Sequence, residues 1–479
     1  MMDERKFDSM LEDAMTELPP NYDQSAEITP WRTAMKRVIW GIGLTTLTLQ
    51  AYWLQYILPA QGVILSVLGY RTLRKENRYF RWCWLLSLYG AAAKFVSLVL
   101  NATLIRLPAM NLVVLVSIVL GYAETICLWK GIRAVRVKAG QADEAGAVIA
   151  LLVWEGVVVA LVLLGLGGWL LLLPMLICYI CILRALSRIP TLLDDAGYEI
   201  EPASVRVPDM AVKVGWNCGL IVCVLTAVVL CCRYPMEWSS LDREEHAGLE
   251  QMKTELVELG LPQQVADDLA PEDLALLEGA DFVEVRKNWE DFTNLKTDSG
   301  DALLYDIAVR MADGRWMAIH HFQWVENPTL RTTECMLLWP AYRHSEGYRQ
   351  VREITGRILF DREGETFTGD YYTLSDQTYT TRSFLDMSRE TRTNPIATFS
   401  LPLRGENCRG YLCYVVEVVS EGWIFDSWNN YTHQTDIWVY PMMSAEEYEK
   451  SGIWNGQGGF YTTQNAVQFF PNETGKNKD

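Results

Sequence analysis

VGWNCGLIVCVLTAVVLCC, residues 214–232, is a run of 19 residues without a charge. Coiled as an α-helix it is about 28 Å long, against a bilayer hydrocarbon core of roughly 30 Å. Upstream of it the chain reads as membrane, and downstream as a water-soluble domain. The charges divide at the same place. Residues 1–233 carry 21 Lys+Arg against 18 Asp+Glu and residues 234–479 carry 21 against 41, so the net charge of −17 separates into +3 and −20. An acidic domain of that strength stays in solution and repels phosphates, which excludes nucleic acid as a partner.

Outward toward the N-terminus, further apolar runs predict spans at approximately 38–57, 60–72, 82–105, 109–129, 147–164, 167–184 and 213–232, about seven helices within residues 31–233. The first two come from 33 uncharged residues between Arg37 and Arg71, too many for one upright crossing. The segment LPAQG, residues 58–62, is read as the break that folds them into a hairpin. Loops at 31–37, 71–81, 130–146 and 184–213 hold 16 Lys+Arg, and the intervening loops hold Arg106 alone. By the positive-inside rule this places the N-terminus in the cytoplasm and, after an odd number of crossings, the C-terminal domain outside.

Residues 1–30 form a charged tail with no signal-peptide core. Within it Phe7, Met10, Leu11, Ala14, Met15 and Leu18 fall on one helical face that ends at Pro19-Pro20. That stripe either docks on the protein's own loops or on the membrane, or binds a cytoplasmic protein partner. Thr29-Pro30 supplies an N-cap and a proline at the first position of the next helix.

Beyond the last span, residues 234–300 read as a small helical unit. A helix over 241–259 is capped by Ser239 or Ser240 and stopped by Gly260, and two short helices start at Pro262 and Pro271. From residue 301 the period becomes strand-like. ALLYDIAVRM and WMAIHHFQW flank Asp313-Gly314 as a hairpin. Strands are expected at 335–339, 356–360, 371–374, 378–382, 397–401, 410–419, 436–440 and 460–463. The fold class is therefore a multi-pass α-helical membrane domain, the helical unit, and a mainly antiparallel β domain, sandwich or barrel, over 301–470. A tail at 471–479 is expected to be disordered.

Candidate chemistry is sparse. Lys94, Glu124 and Glu155 lie inside membrane runs, where a charge faces a partner or a water-filled cavity. Helix depth puts Lys94 within reach of Glu155 as an intramembrane pair. All five histidines, His246, His320, His321, His344 and His433, lie in the acidic half. His320 and His321 point to opposite faces of a strand and cannot share one ion, so no metal or cofactor is expected. No Walker, G-x-S-x-G or H-E-x-x-H pattern occurs, and no catalytic residue is assigned. Cys408 and Cys413 are the local candidates for a disulfide. The stretch GWIFDSWNNYTHQTDIWVY, residues 422–440, sets Trp423, Trp428 and Tyr431 among Asn430 and His433. Such a set is either a core or a surface for stacking an envelope glycan or peptide.

The segments ITPWRTAMKR (28–37) and RTLRKENRYFR (71–81), with the apolar hairpin between them, resemble uncharacterised polytopic membrane proteins of Gram-positive bacteria, a resemblance that implies no established activity. The layout is also similar to membrane-bound regulators that join a cytoplasmic helix to an outer sensor. It departs from zinc-binding anti-sigma factors, because residues 1–37 contain neither Cys nor His. The expected function is sensory or regulatory at the cell envelope. Transport or envelope assembly through the intramembrane charges stands as the alternative, and an outer-domain hydrolase comes third.

Overall fold

The computed structural model describes residues 29–46, 53–108, 110–141, 145–164, 169–200, 202–241, 249–291, 300–382, 389–452 and 458–471. The amphipathic stripe at residues 7–18 and the terminal tail at 472–479 lie outside them. The chain forms two compact units, Met1–Val99 with Arg106–Cys223, and Leu100–Ile105 with Val224–Asp479.

In the first unit α1 (Pro30–Thr46) begins as its sequence dictates, with Thr29 Oγ1 accepting from Arg32 N at 3.1 Å. α2 (Leu54–Leu73) runs unbroken through Pro59, so LPAQG lies inside a helix and is not the reversal point. Pro59 lies in the second turn of α2, where it removes the N–H that would bond Gln55 O yet leaves the helix unbroken. The two described helices, α1 ending at Thr46 and α2 beginning at Leu54, pack against each other. The hairpin itself forms, because glycines let the two backbones meet. A Cβ on Gly41 would lie 2.8 Å from Gly62 O, and one on Gly69 would lie 2.7 Å from Ala34 O. α3 (Arg78–Leu100), α4 (Met110–Lys138), α5 (Gly146–Leu163), α6 (Trp169–Asp195) and α7 (Asp209–Cys231) follow. Among the described residues these last five are long and apolar enough to cross a membrane. Their outward faces are aliphatic, as at Val153, Leu163 and Val229, which suits a lipid environment where backbone polar groups are satisfied within the helix. Polar clamps join the helices. Arg37 and Arg71 both bind Asp209, and Gln61 Nε2 donates to Asn217 Oδ1 at 2.6 Å.

The second unit is antiparallel β throughout. Thirteen strands are described: β1 (Ser239–Ser240), β2 (Phe282–Asp291), β3 (Asp301–Arg310), β4 (Trp316–Glu326), β5 (Glu334–Trp339), β6 (Tyr348–Gln350), β7 (Thr355–Arg362), β8 (Glu365–Gly369), β9 (Thr373–Arg382), β10 (Arg389–Phe399), β11 (Glu406–Val418), β12 (Phe425–Gln434) and β13 (Phe460–Phe469). One sheet has the order β1-β8-β7-β11-β4-β3-β2, with β6 also on β11. The other is β13-β12-β5-β10-β9. Inward side chains of both sheets, among them Phe322, Trp324, Phe399, Leu412 and Tyr431, make one core. Three short helices, α8 (Glu250–Glu258), α9 (Gln263–Asp268) and α10 (Pro271–Ala275), place Leu256, Val265, Leu269 and Leu274 on the opposite face of the larger sheet, against Ile307, Ile319 and Tyr411. A one-turn helix, α11 (Ala341–His344), follows β5. α12 (Ala445–Ser451), held by a capping box between Ser444 and Glu447, packs on the smaller sheet.

Three sequence expectations change here. Ser239 and Ser240 cap no helix and instead pair with Thr368 and Phe367. Residues 436–440 are not a strand, because Asp436 Oδ1 accepts from Trp438 N at 2.8 Å and turns the chain. β2 and β12 were not anticipated. In β12 the inward positions include Ser427, Asn429 and His433, so a buried strand carries no apolar alternation.

Candidate functional site

The β3–β4 hairpin turns at Asp313-Gly314. Gly314 takes φ +82°, and Asp313 Oδ1 accepts from Arg315 N at 3.1 Å. That turn fixes a register in which Asp306 faces His320 and Tyr305 faces His321. Alternation along β4 then sends the adjacent histidines to opposite sides of the sheet.

On the inner side, His320 Nδ1 hydrogen-bonds Asp306 Oδ1, and Nε2 meets Ser427 Oγ at 2.7 Å. Tyr414 donates its hydroxyl to Ser427 Oγ at 2.6 Å and accepts from Ala341 N at 3.0 Å. Asp306, His320 and Ser427 thus have the connectivity of orienting acid, base and nucleophile. Their surroundings differ from those of an active site: all three are 0% exposed, and Ser427 Oγ is already engaged by Tyr414. The chain ties the two sheets together through their core. Burial pushes the Asp306 carboxyl above its ordinary value, and His320 offsets this only in part.

On the outer side, His321 Nε2 meets Asp268 Oδ2 at 2.8 Å, while Arg409 Nε donates to Asp268 Oδ1 at 2.7 Å and its Nη1 reaches Asp361 at 3.1 Å. Burial pushes the Asp268 carboxyl up, but His321 and Arg409 outweigh it and hold the group below its ordinary value. Beside it, Asp273 accepts from Tyr411 at 2.7 Å and Thr355 at 3.0 Å and pairs with Arg352 at 3.1 Å. Two buried carboxylates therefore fasten the α8–α10 layer to the sheet.

The aromatic stretch disperses over three places. For Tyr431 and His433 the core alternative holds. Both point inward from β12, Tyr431 accepting from Trp324 Nε1 at 2.8 Å and His433 Nδ1 meeting Glu334 at 2.7 Å. Trp428 and Asn430 lie half-buried on the opposite face, where Trp428 stands across from Trp339 and Asn430 bonds Gln464 at 2.9 Å. Trp423 alone of the five stands 41% exposed. It borders a cleft of about 270 Å3 with Arg310, Trp316, Tyr348, Glu421 and Phe470. Gly347 makes room for its indole, since a Cβ there would come within 2.5 Å of the ring. Tyr348 donates to Trp423 O at 3.1 Å, and Arg310 is held by both oxygens of Asp281 at 2.6 and 3.0 Å. The cleft thus offers aromatic faces, one exposed carboxylate and a neutralised guanidinium.

No protein-family model matches the chain, and no curated protein matches it.

Cys408 and Cys413 form no disulfide. Both are free and buried, Cys408 in the inter-sheet core and Cys413 on the helix-covered face. Five residues of extended strand separate their Cα atoms by about 16 Å, beyond the ~7 Å limit for a bridge. In the first unit, Glu155 accepts from Thr125 Oγ1 at 3.1 Å, with Glu124 and the Tyr70 hydroxyl nearby. The expected Lys94–Glu155 pair is not formed, and among the described residues Lys94 has no ion-pair partner. Thr125 of neighbouring α4 meets Glu155 Oε1 alone, and among the described residues Glu155 Oε2 is buried with no hydrogen-bond partner. Among the described residues no three His, Cys, Asp or Glu side chains converge as a metal site. Asp306, Ser427, Tyr414, Asp268 and Arg409 were missed from sequence. Asp306 was legible, since it and His320 are equidistant from the hairpin centre at Asp313. The others come from distant strands and carry no local signal.

Proposed function

We propose that this is a multi-pass membrane protein that presents an acidic β-sandwich outside the cell and binds an envelope glycan or peptide in the Trp423 cleft, in a sensory or regulatory role. The observation that carries this reading is the exposed Trp423 ring over a cleft with Tyr348 and Phe470. Aromatic faces beside a few polar groups are what sugars and peptide side chains stack on. For the topology, the α1–α2 hairpin returns the chain to the side on which it started, so the five helices from Arg78 to Cys231 set the parity. With Arg32, Arg37 and Arg71–Arg81 inside, the β unit lies outside. A periplasmic- or surface-active reporter fused after residue 240 should be active, and one active only in the cytoplasm overturns the arrangement. Binding is tested with the purified full chain and soluble cell-wall fragments. Trp423→Ala should abolish retention at an unchanged melting temperature, and equal retention by both proteins refutes the site. Passage of a signal inward is assigned to a cytoplasmic partner on the Phe7–Leu18 stripe, which a pull-down with residues 1–37 should recover. A second reading, transport or envelope assembly, draws on Glu124 and Glu155. Under it Glu155→Gln removes function in cells while leaving the Trp423 cleft competent.

A further inference from the structure

α1 has two distinct faces. Trp31, Ala34, Met35 and Val38 are buried, whereas Arg32, Lys36 and Trp40 follow one another at four-residue spacing along an exposed stripe. This stripe borders a second cleft of about 270 Å3, completed by Ile39 of α1 and by Ser187, Pro190 and Thr191 of α6. On α6, Arg184 and Arg188 share a helical face with Ser187 and Thr191, three, four and seven residues apart. All four cations are accessible or partly so, and among the described residues none has an ion-pair partner. The acid nearest in sequence to Arg188, Asp194, is engaged by the Thr29 hydroxyl at 2.8 Å, a contact that also fixes the start of α1 against the end of α6. The positive end of the α1 macrodipole adds to the field. Trp40, 57% exposed one turn beyond Lys36, is an indole of the kind that settles at the level of lipid headgroups.

We propose that the cleft between α1 and the second half of α6 binds an anionic phosphate group, supplied as the headgroup of an anionic phospholipid in the leaflet that meets these helix ends. Arg32 and Lys36 bind the phosphate oxygens, with Arg184 and Arg188 as flanking charges. Ser187 and Thr191 hydroxyls donate to the headgroup, and Trp40 with Ile39 packs on the glycerol and upper acyl chain. Unpaired cations, hydroxyls and an interfacial indole meet at one place, which is the composition of a basic lipid pocket rather than of a solvated charge run.

The test is native mass spectrometry of the detergent-purified full chain titrated with phosphatidylglycerol, with phosphatidylcholine, and with phosphatidylglycerol in the presence of inorganic phosphate. The native chain should retain phosphatidylglycerol in preference to phosphatidylcholine. At about 1 kcal/mol per cation, Arg32→Gln should weaken this about fivefold and the pair Arg32→Gln/Lys36→Gln roughly thirtyfold. The charge-preserving pair Arg32→Lys/Lys36→Arg should keep most of the preference, which separates loss of charge from loss of fold. Resistance to inorganic phosphate supports the lipid source. Displacement by inorganic phosphate at concentrations similar to the lipid's keeps the phosphate site but overturns the lipid as its source. Equal retention of the two lipids, or unchanged phosphatidylglycerol retention by the Gln pair, overturns the site.

Discussion

His320 and His321 are neighbours on one strand, each fully buried and each joined to a buried aspartate, yet the two sides of the sheet treat their aspartates in opposite ways. Between the sheets, Asp306 has His320 alone and its carboxyl is pushed up. Under the α8–α10 layer, Asp268 has His321 and Arg409, and its carboxyl is held down. A buried carboxylate is expensive in proportion to what does not compensate it, so one extra guanidinium decides the sign. The outer arrangement is a charged clasp between a helical layer and a sheet. The inner one is a hydrogen-bonded tie between two sheets.

The sharpest way to break this contrast is to remove the guanidinium. Arg409→Met leaves Asp268 with His321 and the Gln264 amide but no guanidinium, and should cost about 3–5 kcal/mol, read from denaturant unfolding of the full chain by near-ultraviolet circular dichroism. Tyr414→Phe acts on the other side. It leaves Ala341 N and Ser427 Oγ each one partner short in the core, for about 1–3 kcal/mol by the same measurement. The next effect is on pH dependence. Asp268, with its folded value depressed, contributes stability that is present above the ordinary carboxylate value and lost as the pH falls. Asp306, with its folded value raised, contributes stability that is present below that value and lost as the pH rises. Asp268→Asn should therefore flatten the loss of stability toward acid, and Asp306→Asn should flatten a loss toward neutrality. Unfolding midpoints followed across pH test this, and slopes that change in the same direction for both variants refute it. The smallest effect is expected at the thiols. A reducing agent should leave the midpoint unchanged, and Cys408, whose thiol burial pushes up to about 12, should react with a thiol reagent only in the unfolded chain.

Much of the layout was legible because it is written in local periods. The uncharged run at 214–232 became part of α7, Thr29-Pro30 opened α1, and Asp313-Gly314 made a hairpin whose register pairs Asp306 with His320. LPAQG misled because a helix carries through its proline at the loss of one interior hydrogen bond, and Gly62, read as part of the break, serves for close packing of α2 on α1. Trp423, Trp428, Tyr431 and His433 read as one cluster because they are close in sequence. Strand alternation and the bend before β12 send them to a cleft, an outer face and a core.

By itself the amino-acid sequence determined where apolar helices give way to strands, where turns fall and which side of a strand each histidine takes, since these follow from spacing along a few residues. Only the tertiary structure decided what those histidines meet. Ser427 comes from 107 residues away, and Asp268 from 53. Partners so distant are chosen by how sheets and helices pack, and a buried charge acquires its sign of stability from those partners. The run at 214–232 thus marked the boundary between the two compositions, while the chemistry on either side of β4 waited on packing.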